Sequence, residues 1–439
     1  MLRTLINMFK IKELRNRLLF TLVLLSVYRI GAYIPTPGIN PEKLKDFFGS
    51  ASTSGLMNMM DLFTGGAMRN VTILALGIMP YISASIILQL MTSVVPTLEK
   101  LSHEGEAGRK KINQYTRYGT VAVCLIQSLM LSNQLVKGGV NLIPAPFFNI
   151  IVMITLTAGT IWLMWLGEQI TSRGIGNGIS LIIMAGIVSR MPVAGRMLWK
   201  LYGIGASESR PFWQAALLIV MFVAVVAGVI YVIQGQRRIP VQYAKRVAGG
   251  KTFGGQSTYI PLRVNQAGVI PIIFASAILM LPAALAKVVP DSLPMIRDFF
   301  GLFARGGFVY LLTYALGIVF FCFFYTAITF NPVQIADDFK KSGAFVPGVR
   351  PGKPTADYLE YTMVRLTVAG SIFLAIIAVV PLIISSWLQI NYMIASFLGG
   401  TGLLITVGVM LDTMQQVEAH LLMRHYDGFM KDGKLKGRY

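Results

Sequence analysis

The stretch of sequence that decides the fold is FWQAALLIVMFVAVVAGVIYVI, residues Phe212 to Ile233, which contains no charged residue. At a rise of about 1.5 Å per residue, a helix of this length crosses the roughly 30 Å hydrocarbon core of a bilayer. A helix pairs its own backbone N–H and C=O groups, which lipid cannot do. The stretch therefore predicts a membrane-spanning helix.

Nine further apolar runs surround this one, and most are long enough to span. We predict an all-α integral membrane protein with ten transmembrane helices. An odd number of spans in each half would place two related five-helix halves in opposite orientations, so we expect an inverted repeat. In chain order the ten runs are Leu18–Ile34, Val71–Val95, Thr116–Val136, Phe148–Gly167, Ile179–Val193, Phe212–Ile233, Ala267–Val288, Phe308–Phe330, Leu366–Leu388 and Met393–Leu411.

The composition of the whole chain agrees with this prediction. Of its 439 residues, 54% are hydrophobic and 13% are charged, and the mean hydropathy is +0.63. A soluble protein of this composition would lack polar residues to cover its core. The formal net charge is nevertheless +20, so the loops must be strongly basic, which suits anionic lipids, acidic proteins or RNA.

The distribution of Lys and Arg predicts the orientation. They are concentrated in the N-terminal segment, in loops 2/3, 6/7 and 8/9, and in the C-terminal tail, which places both termini in the cytoplasm. Residues 1–17 are basic and amphipathic, and we interpret them as a retained cytoplasmic segment, not a cleaved signal peptide. We expect an N-terminal half (18–193), an external hinge loop (194–211), a C-terminal half (212–411) and a basic cytoplasmic tail (412–439).

The sequence offers little catalytic chemistry. His103, His420 and His425 fall in cytoplasmic segments, and no Asp or Glu lies inside a predicted span. We interpret Arg29 as the only charge deep in a span, either snorkelling or paired with a partner. Cys124 and Cys322 are predicted to be buried free thiols. We therefore expect no catalytic residue, metal or cofactor, and an energy source outside the chain.

One apolar segment is too short to span. It is either an interfacial helix or a re-entrant segment that folds into a cavity, and its length alone does not decide between them. It comprises Gly55, Leu56, Met57, Asn58, Met59, Met60, Asp61, Leu62, Phe63, Thr64, Gly65, Gly66 and Ala67.

Two long cytoplasmic loops carry most of the informative polar residues. Loop 6/7 (234–266) contains six basic residues and no acidic one, and the alternation of Ile239, Val241, Tyr243 and Val247 with polar residues predicts a hairpin. Loop 8/9 (331–365) presents an arginine between two Pro-Gly steps. These loops are either simple positive-inside loops or a docking surface for a large anionic partner, and their length favours docking. The candidate docking residues are Arg237, Arg238, Lys245, Arg246, Lys340, Lys341 and Arg350.

Six motifs together resemble the bacterial SecY family, whose members form the pore of the Sec translocon. The resemblance extends from about Lys12 to Tyr439. The motifs are ALGIMPYISASI (Ala75–Ile86), GEAGRKKINQYTRYGT (Gly105–Thr120), GEQITSRGIGNGIS (Gly167–Ser180), GQRRIPVQYAKR (Gly235–Arg246), NQAGVIPIIFASAI (Asn265–Ile278) and FNPVQIADDFKKSGAFVPGVRPG (Phe330–Gly352).

The resemblance implies a fold and a pore. It implies two inverted five-helix halves around a central hourglass pore, closed by the Gly55–Ala67 segment as a re-entrant plug helix. A ring of aliphatic side chains would exclude water and ions when narrow and would hold no particular peptide sequence. The implied ring residues are Ile78, Ile82, Ile179, Ile183, Ile273 and Ile405.

It also implies a lateral gate and partners. The gate would lie between spans two and three on one side and seven and eight on the other, with Ser83, Ser85, Gln127, Asn265 and Ile270 as candidate residues. The expected partners are the SecA motor ATPase, the ribosome, SecE-like and SecG-like small membrane subunits, unfolded preproteins with signal peptides, and anionic lipids. The expected location is the bacterial plasma membrane.

The alternatives come from other classes of protein. A secondary transporter for a small solute would need a sodium or proton gradient, for which the spans offer no carboxylate. An intramembrane enzyme would need a nucleophile and a base, and the spans contain no histidine.

Overall fold

The protein is described here as a computed structural model that covers residues 11–50, 61, 63–202, 211–243, 246–248, 251–253, 257–288, 294–303, 307–388, 394, 397 and 400–432. Within these residues the chain forms fourteen helices and five short strands. The helices are α1 (Lys12–Gly31), α2 (Pro41–Ser50), α3 (Met79–Val94), α4 (Pro96–His103), α5 (Glu106–Lys137), α6 (Ala145–Arg173), α7 (Gly178–Tyr202), α8 (Phe212–Gln234), α9 (Ile270–Val288), α10 (Pro294–Gly301), α11 (Phe308–Thr329), α12 (Pro332–Ser342), α13 (Lys353–Trp387) and α14 (Thr401–Asp432). The strands are β1 (Gln236–Tyr243), β2 (Arg246–Ala248), β3 (Lys251–Phe253), β4 (Ser257–Arg263) and β5 (Ala344–Phe345).

Each of the ten predicted spans falls on a helix. Six helices of the described chain are long and apolar enough to cross a membrane, namely α5, α6, α7, α8, α11 and α13, and the pair α3 and α4, bent by 101°, would make a seventh. The other three predicted spans fall on α1, which carries three arginines, on α9, and on α14, which becomes polar after Leu411. The prediction of a helical multi-pass membrane protein is confirmed.

The prediction of a continuous span from Val71 is wrong, because the helix α3 begins at Met79. Residues 64–78 instead form successive turns. Val71 has φ of +41° and Gly77 has φ of +57°, and an α-helix cannot include either conformation. The turns are joined to the chain that follows α1, since the Thr36 N–H donates to the carbonyl of Val71 at 3.0 Å.

The chain divides into two compact units. The first comprises Met1–Ser207 and Ile405–Tyr439, and the second comprises Glu208–Leu404. The sequence prediction instead grouped the last span with the C-terminal half. The contacts of α14 within the first unit explain the difference: Val417 packs with Leu14 and Ile175, and the side-chain oxygen of Gln416 accepts from the Gly176 N–H at 3.0 Å.

In the first unit, α5 packs between α3 and α6, and α6 in turn packs on α7 and α1. α7 continues through residues 194–202, which were predicted to begin the external hinge loop, whereas residues 203–210 lie outside the described chain. The core of this unit is formed by Leu44, Phe48, Met68, Val71, Ala75, Leu76, Cys124, Leu131, Leu135, Val140, Phe148, Val152 and Leu156.

In the second unit, α11 packs between α9 and α13, and α8 packs on α13. The predicted hairpin in loop 6/7 is confirmed, because β1 pairs antiparallel with β4, for example Ile239 with Ile260. β5, which comes from loop 8/9, pairs antiparallel with the other edge of β1. The two long loops therefore form one three-stranded sheet, in the order β4-β1-β5.

Candidate functional site

The candidate site in the first unit is built around a segment that we call the turn segment, defined as Asp61 and residues 63–78. It includes the described part of the predicted plug, which is Asp61 and residues 63–67; residues 55–60 and 62 lie outside the described chain. Asp61 and Phe63 are helical, and turns follow from Thr64. Both residues are buried.

A buried ion pair joins the turn segment to α7. The Arg190 guanidinium donates to one carboxylate oxygen of Asp61, and the two side chains are 13% and 8% exposed. The other carboxylate oxygen accepts from the Arg69 N–H at 3.0 Å. Gly66 lies directly against the guanidinium, since a Cβ placed there would be 2.7 Å from the Arg190 Cζ. The pair is the kind of contact that fixes a register.

The end of α1 holds the same segment from another side. Arg29 Nη1 donates to the carbonyl of Gly65 at 3.3 Å, and the Tyr28 hydroxyl donates to the carbonyl of Thr64 at 3.4 Å. The backbone of α7 also approaches closely, because a Cβ on Gly186 would lie 2.8 Å from the carbonyl oxygen of Phe63. The deep arginine of span one is thus paired inside the chain.

An apolar cavity lies between the turn segment and the helices. It has about 10 Å³ of space open to water-sized spheres, room for roughly one water molecule. Three residues of the predicted ring line it, namely Ile78, Ile82 and Ile183, and Phe63 of the predicted plug lines it with them. Each of these four side chains is 5–6% exposed. The remaining lining residues are Tyr28, Gly77, Met79, Leu163 and Ile182.

The other three predicted ring residues are not among those that line this cavity. Ile179 packs on α6, since its Cγ1 lies 3.0 Å from the position of a Cβ on Gly167. Ile405 is fully buried in the first unit, and Ile273 is 7% exposed in the second. The described structure therefore brings together Ile78, Ile82 and Ile183, and it places Ile182 beside them where the sequence pointed to Ile179.

Sequence reasoning missed Arg190. The interpretation of Arg29 as the only deep charge is wrong, because Arg190, whose side chain is 13% exposed, also lies within a predicted span. The available signal was a cation inside an apolar run together with a lone acid, Asp61, in an otherwise uncharged segment. A buried charge needs a partner, so the sequence could have marked each of the two as needing one, without showing that they meet.

The candidate gate residues lie on α3 and α5 in the first unit, and at or just before the start of α9 in the second. Ser83 and Ser85 lie half-buried on α3, which packs on α5 with Ala84 against Gly119. On α5, the Gln127 side-chain oxygen is buried without a hydrogen-bond partner among the described residues. In the second unit, Asn265 Nδ2 donates to the carbonyl of Gly268 at 2.8 Å, just before α9, which begins at the half-buried Ile270.

The candidate docking residues surround the three-stranded sheet. Ile239, Val241 and Leu262 form the buried face of the sheet, on a cluster with Leu359 and Met363 of α13. The charged residues project from this support: Arg237, Arg238, Lys340, Lys341 and Arg350 are all exposed. Lys245 lies outside the described residues, and of Arg246 only the backbone, in β2, is described.

The turn that presents Arg350 is rigid. The Val349 N–H donates to the carbonyl of Val346 at 3.1 Å, and Gly348 has φ of +85°. With Pro347 before it, this is the geometry of a type II turn. The Arg350 carbonyl accepts from the Thr355 hydroxyl at 2.8 Å, which ties the turn to the start of α13. The guanidinium is thereby held in solvent on a fixed backbone.

The two candidate sites differ in chemistry: one is a small cavity and the other is an exposed basic surface. Among the described residues, no group of three or more His, Cys, Asp or Glu side chains could hold a metal ion. The cavity is lined mainly by aliphatic and aromatic side chains, which are poor replacements for the water around an ion. The fold and the site define a multi-pass membrane protein with a small cavity lined mainly by apolar side chains and an exposed cluster of basic residues.

The comparisons with known proteins name the family. The family model of SecY matches residues 72–414. The chain is 43% identical to the protein translocase subunit SecY of Thermotoga maritima, over 98% of each chain, and 44% identical to that of Pseudomonas aeruginosa, over 97% of this chain and 95% of that one. The chain belongs to the SecY family.

Solved structures share the fold. A protein-conducting channel is similar with a TM-score of 0.62 at 21% identity, covering 92% of this chain and 91% of that one. A SecY structure, whose plug domain is described as stabilising the closed state of the translocation channel and maintaining a membrane seal, has a TM-score of 0.60 at 21% identity with the same coverage. Sec61 of the canine ribosome–channel complex from the endoplasmic reticulum has a TM-score of 0.59 at 19% identity, again over 92% and 91%.

Proposed function

We propose that this chain is the pore subunit of a protein translocase, which passes unfolded polypeptides across a membrane and releases apolar segments sideways into lipid. The observation that carries this proposal is the cavity in which Phe63 meets Ile78, Ile82 and Ile183. In a SecY-family chain these are a plug residue and three ring residues. Full-length similarity to translocase subunits supports the same function.

The constriction works by excluding water. A narrow aliphatic ring leaves no ligands for ions, and filling it with Phe63 removes the remaining space. An unfolded chain that displaces Phe63 and its neighbours meets the carbon surface of the ring, which binds no particular sequence. Ile179, Ile273 and Ile405 complete the ring in this proposal.

The lateral gate adds a partition step. A segment of about 20 apolar residues gains free energy by leaving a wet pore for lipid, whereas a polar one does not. The polar side chains of Ser83, Ser85, Gln127 and Asn265, with Ile270, line the path of this exit. Sorting therefore needs no bond to be made or broken, and the chain is not an enzyme.

The energy comes from partners that dock on the cytoplasmic surface. The basic residues around the β4-β1-β5 sheet suit an acidic protein surface or ribosomal RNA phosphate. The partners we propose are the SecA motor ATPase and the ribosome, with SecE-like and SecG-like subunits and anionic lipids around the spans. Both termini lie in the cytoplasm, at the bacterial plasma membrane.

Reconstitution tests the function. Vesicles that contain this chain with its small subunits should protect an unfolded preprotein from external protease only when the motor ATPase and ATP are present. A solute carrier would instead accumulate solute in response to a sodium or proton gradient without any partner. Protection that needs neither motor nor ribosome, or none with both, would contradict the proposal.

A matched pair of variants tests the docking surface. Arg350→Glu reverses an exposed charge on a rigid turn, so motor-driven protection should fall while the variant remains folded in detergent. Lys137→Glu makes the same change at the exposed end of α5, on the predicted outer face, and should transport normally. Normal transport by Arg350→Glu would remove this residue from the docking surface.

A further inference from the structure

Two arginines that have no role in the proposed pore contact the turn segment. Arg190 of α7 pairs with Asp61, and Arg29 of α1 donates to the carbonyl of Gly65. These contacts reach both ends of a short stretch that includes Phe63. The stretch that lines the cavity with Phe63 is therefore held by charged side chains of two different helices, α1 and α7.

The strength of the Asp61–Arg190 ion pair depends on how much water reaches the two side chains. Both side chains are nearly buried, so each has lost hydration that its partner largely replaces. Asp61 has one further donor, the Arg69 N–H, while Arg190 Nε has no hydrogen-bond partner among the described residues. Removing one partner leaves the other charge buried and unpaired, which is far more costly than removing both.

We infer that Asp61 and Arg190 form an ionic latch that positions the turn segment in the closed channel, with Arg29 as its second point of attachment. This inference rests on the proposed channel function. Apolar packing of Phe63 excludes water but is not directional, whereas a charged hydrogen bond fixes which residue of the segment meets which residue of α7. When a polypeptide displaces the segment, water in the pore hydrates both charges, so the latch opens without leaving either charge dry.

The latch makes a distinctive prediction for resting ion flux. Arg190→Gln leaves a buried carboxylate, and opening the pore would hydrate it, so the resting ion flux of reconstituted channels should rise by about 100-fold. Asp61→Asn should raise it in the same way, and the asparagine oxygen still accepts from the Arg69 N–H. The double variant Asp61→Asn/Arg190→Gln contains no unpaired charge, so its flux should lie closer to wild type than either single variant.

A control separates the latch from general loss of charge. Arg196→Gln removes an exposed arginine from the same helix and should leave the resting flux unchanged. The charge exchange Asp61→Arg/Arg190→Asp should restore part of the seal. Flux from Arg190→Gln and Asp61→Asn that matches Arg196→Gln would overturn the latch, and so would additive effects in the double variant.

The same vesicles separate this inference from the proposed function. Motor-driven protection of a preprotein is measured beside the ion flux for every variant. Absence of protection with the wild-type chain would contradict the channel function itself. Normal wild-type protection with an unchanged flux from the latch variants would contradict only the latch, and if one single variant fails to fold, the other carries the test.

Discussion

Replacing Phe63 by alanine measures how much of the seal comes from packing. The side chain is 5% exposed and lines the cavity with Ile78, Ile82 and Ile183. Truncating a buried phenylalanine costs about 3–5 kcal/mol, through lost transfer free energy and the void left behind. Because the Phe63 side chain borders a small void, it has fewer packing contacts to lose than a fully enclosed side chain. We therefore expect the lower figure, about 3 kcal/mol. If the Phe63 side chain is exposed to water in the open channel, the substitution destabilises the closed state alone.

The expected magnitude follows directly. Every 1.4 kcal/mol is a factor of ten, so about 3 kcal/mol raises the ratio of open to closed channels by roughly 100-fold. Planar bilayers that contain the reconstituted complex would report this as resting conductance in the absence of motor and substrate. Phe63→Leu keeps most of the apolar volume and should give a much smaller increase.

A second phenylalanine provides the control. Phe47 of α2 is half-buried, packs edge-on against Phe48 and is not among the cavity-lining residues. Phe47→Ala should lower thermal stability in detergent without raising the resting conductance. If Phe63→Ala also lowers stability and leaves the conductance at the wild-type level, the cavity is ordinary core and the assignment of the constriction is wrong.

Three further predictions concern the same unit. Ile82→Asn should raise resting ion flux because an amide hydrates the ring, while Ile161→Asn on the exposed face of α6 should not. Gly77→Ala should weaken the closed state and raise resting ion flux, because Gly77 has φ of +57° and a Cβ there would lie 2.8 Å from the Thr64 Cγ2. Gly159→Ala should lower the midpoint of thermal unfolding, because its Cβ would lie 2.0 Å from a carbonyl oxygen of the turn segment.

Hydropathy located the spans because lipid imposes one requirement on all of them, a long apolar helix. It could not locate the start of α3. Residues 71–78 are as apolar as the helix that follows. The backbone conformations of Val71 and Gly77 prevent the helix from starting before Met79. A scale of transfer free energies contains no information on φ, so residues 71–78 were predicted as part of a span.

Pairing over long sequence separations limited the rest of the prediction. The β1–β4 hairpin was predictable because the alternation of apolar residues is local. β5 is two residues long and pairs with a strand about a hundred residues earlier, and no local pattern marks it. Asp61 and Arg190 are 129 positions apart, so their contact appears only once α7 and the turn segment are placed together.

In the proposed channel, the placement of Asp61 and Phe63 would let one short segment both seal the pore and release it. Two positions apart in the chain, they contact different partners: Phe63 packs at an apolar cavity that it lines, and Asp61 pairs with Arg190 of α7. Packing alone would let the segment slide, since one apolar side chain replaces another at small cost. A fixed charge pair alone would leave the isoleucines a space that water could enter. Because a single outward movement breaks both contacts, and the water that then enters stabilises the separated charges, closing and opening can be two discrete states rather than a gradual loosening.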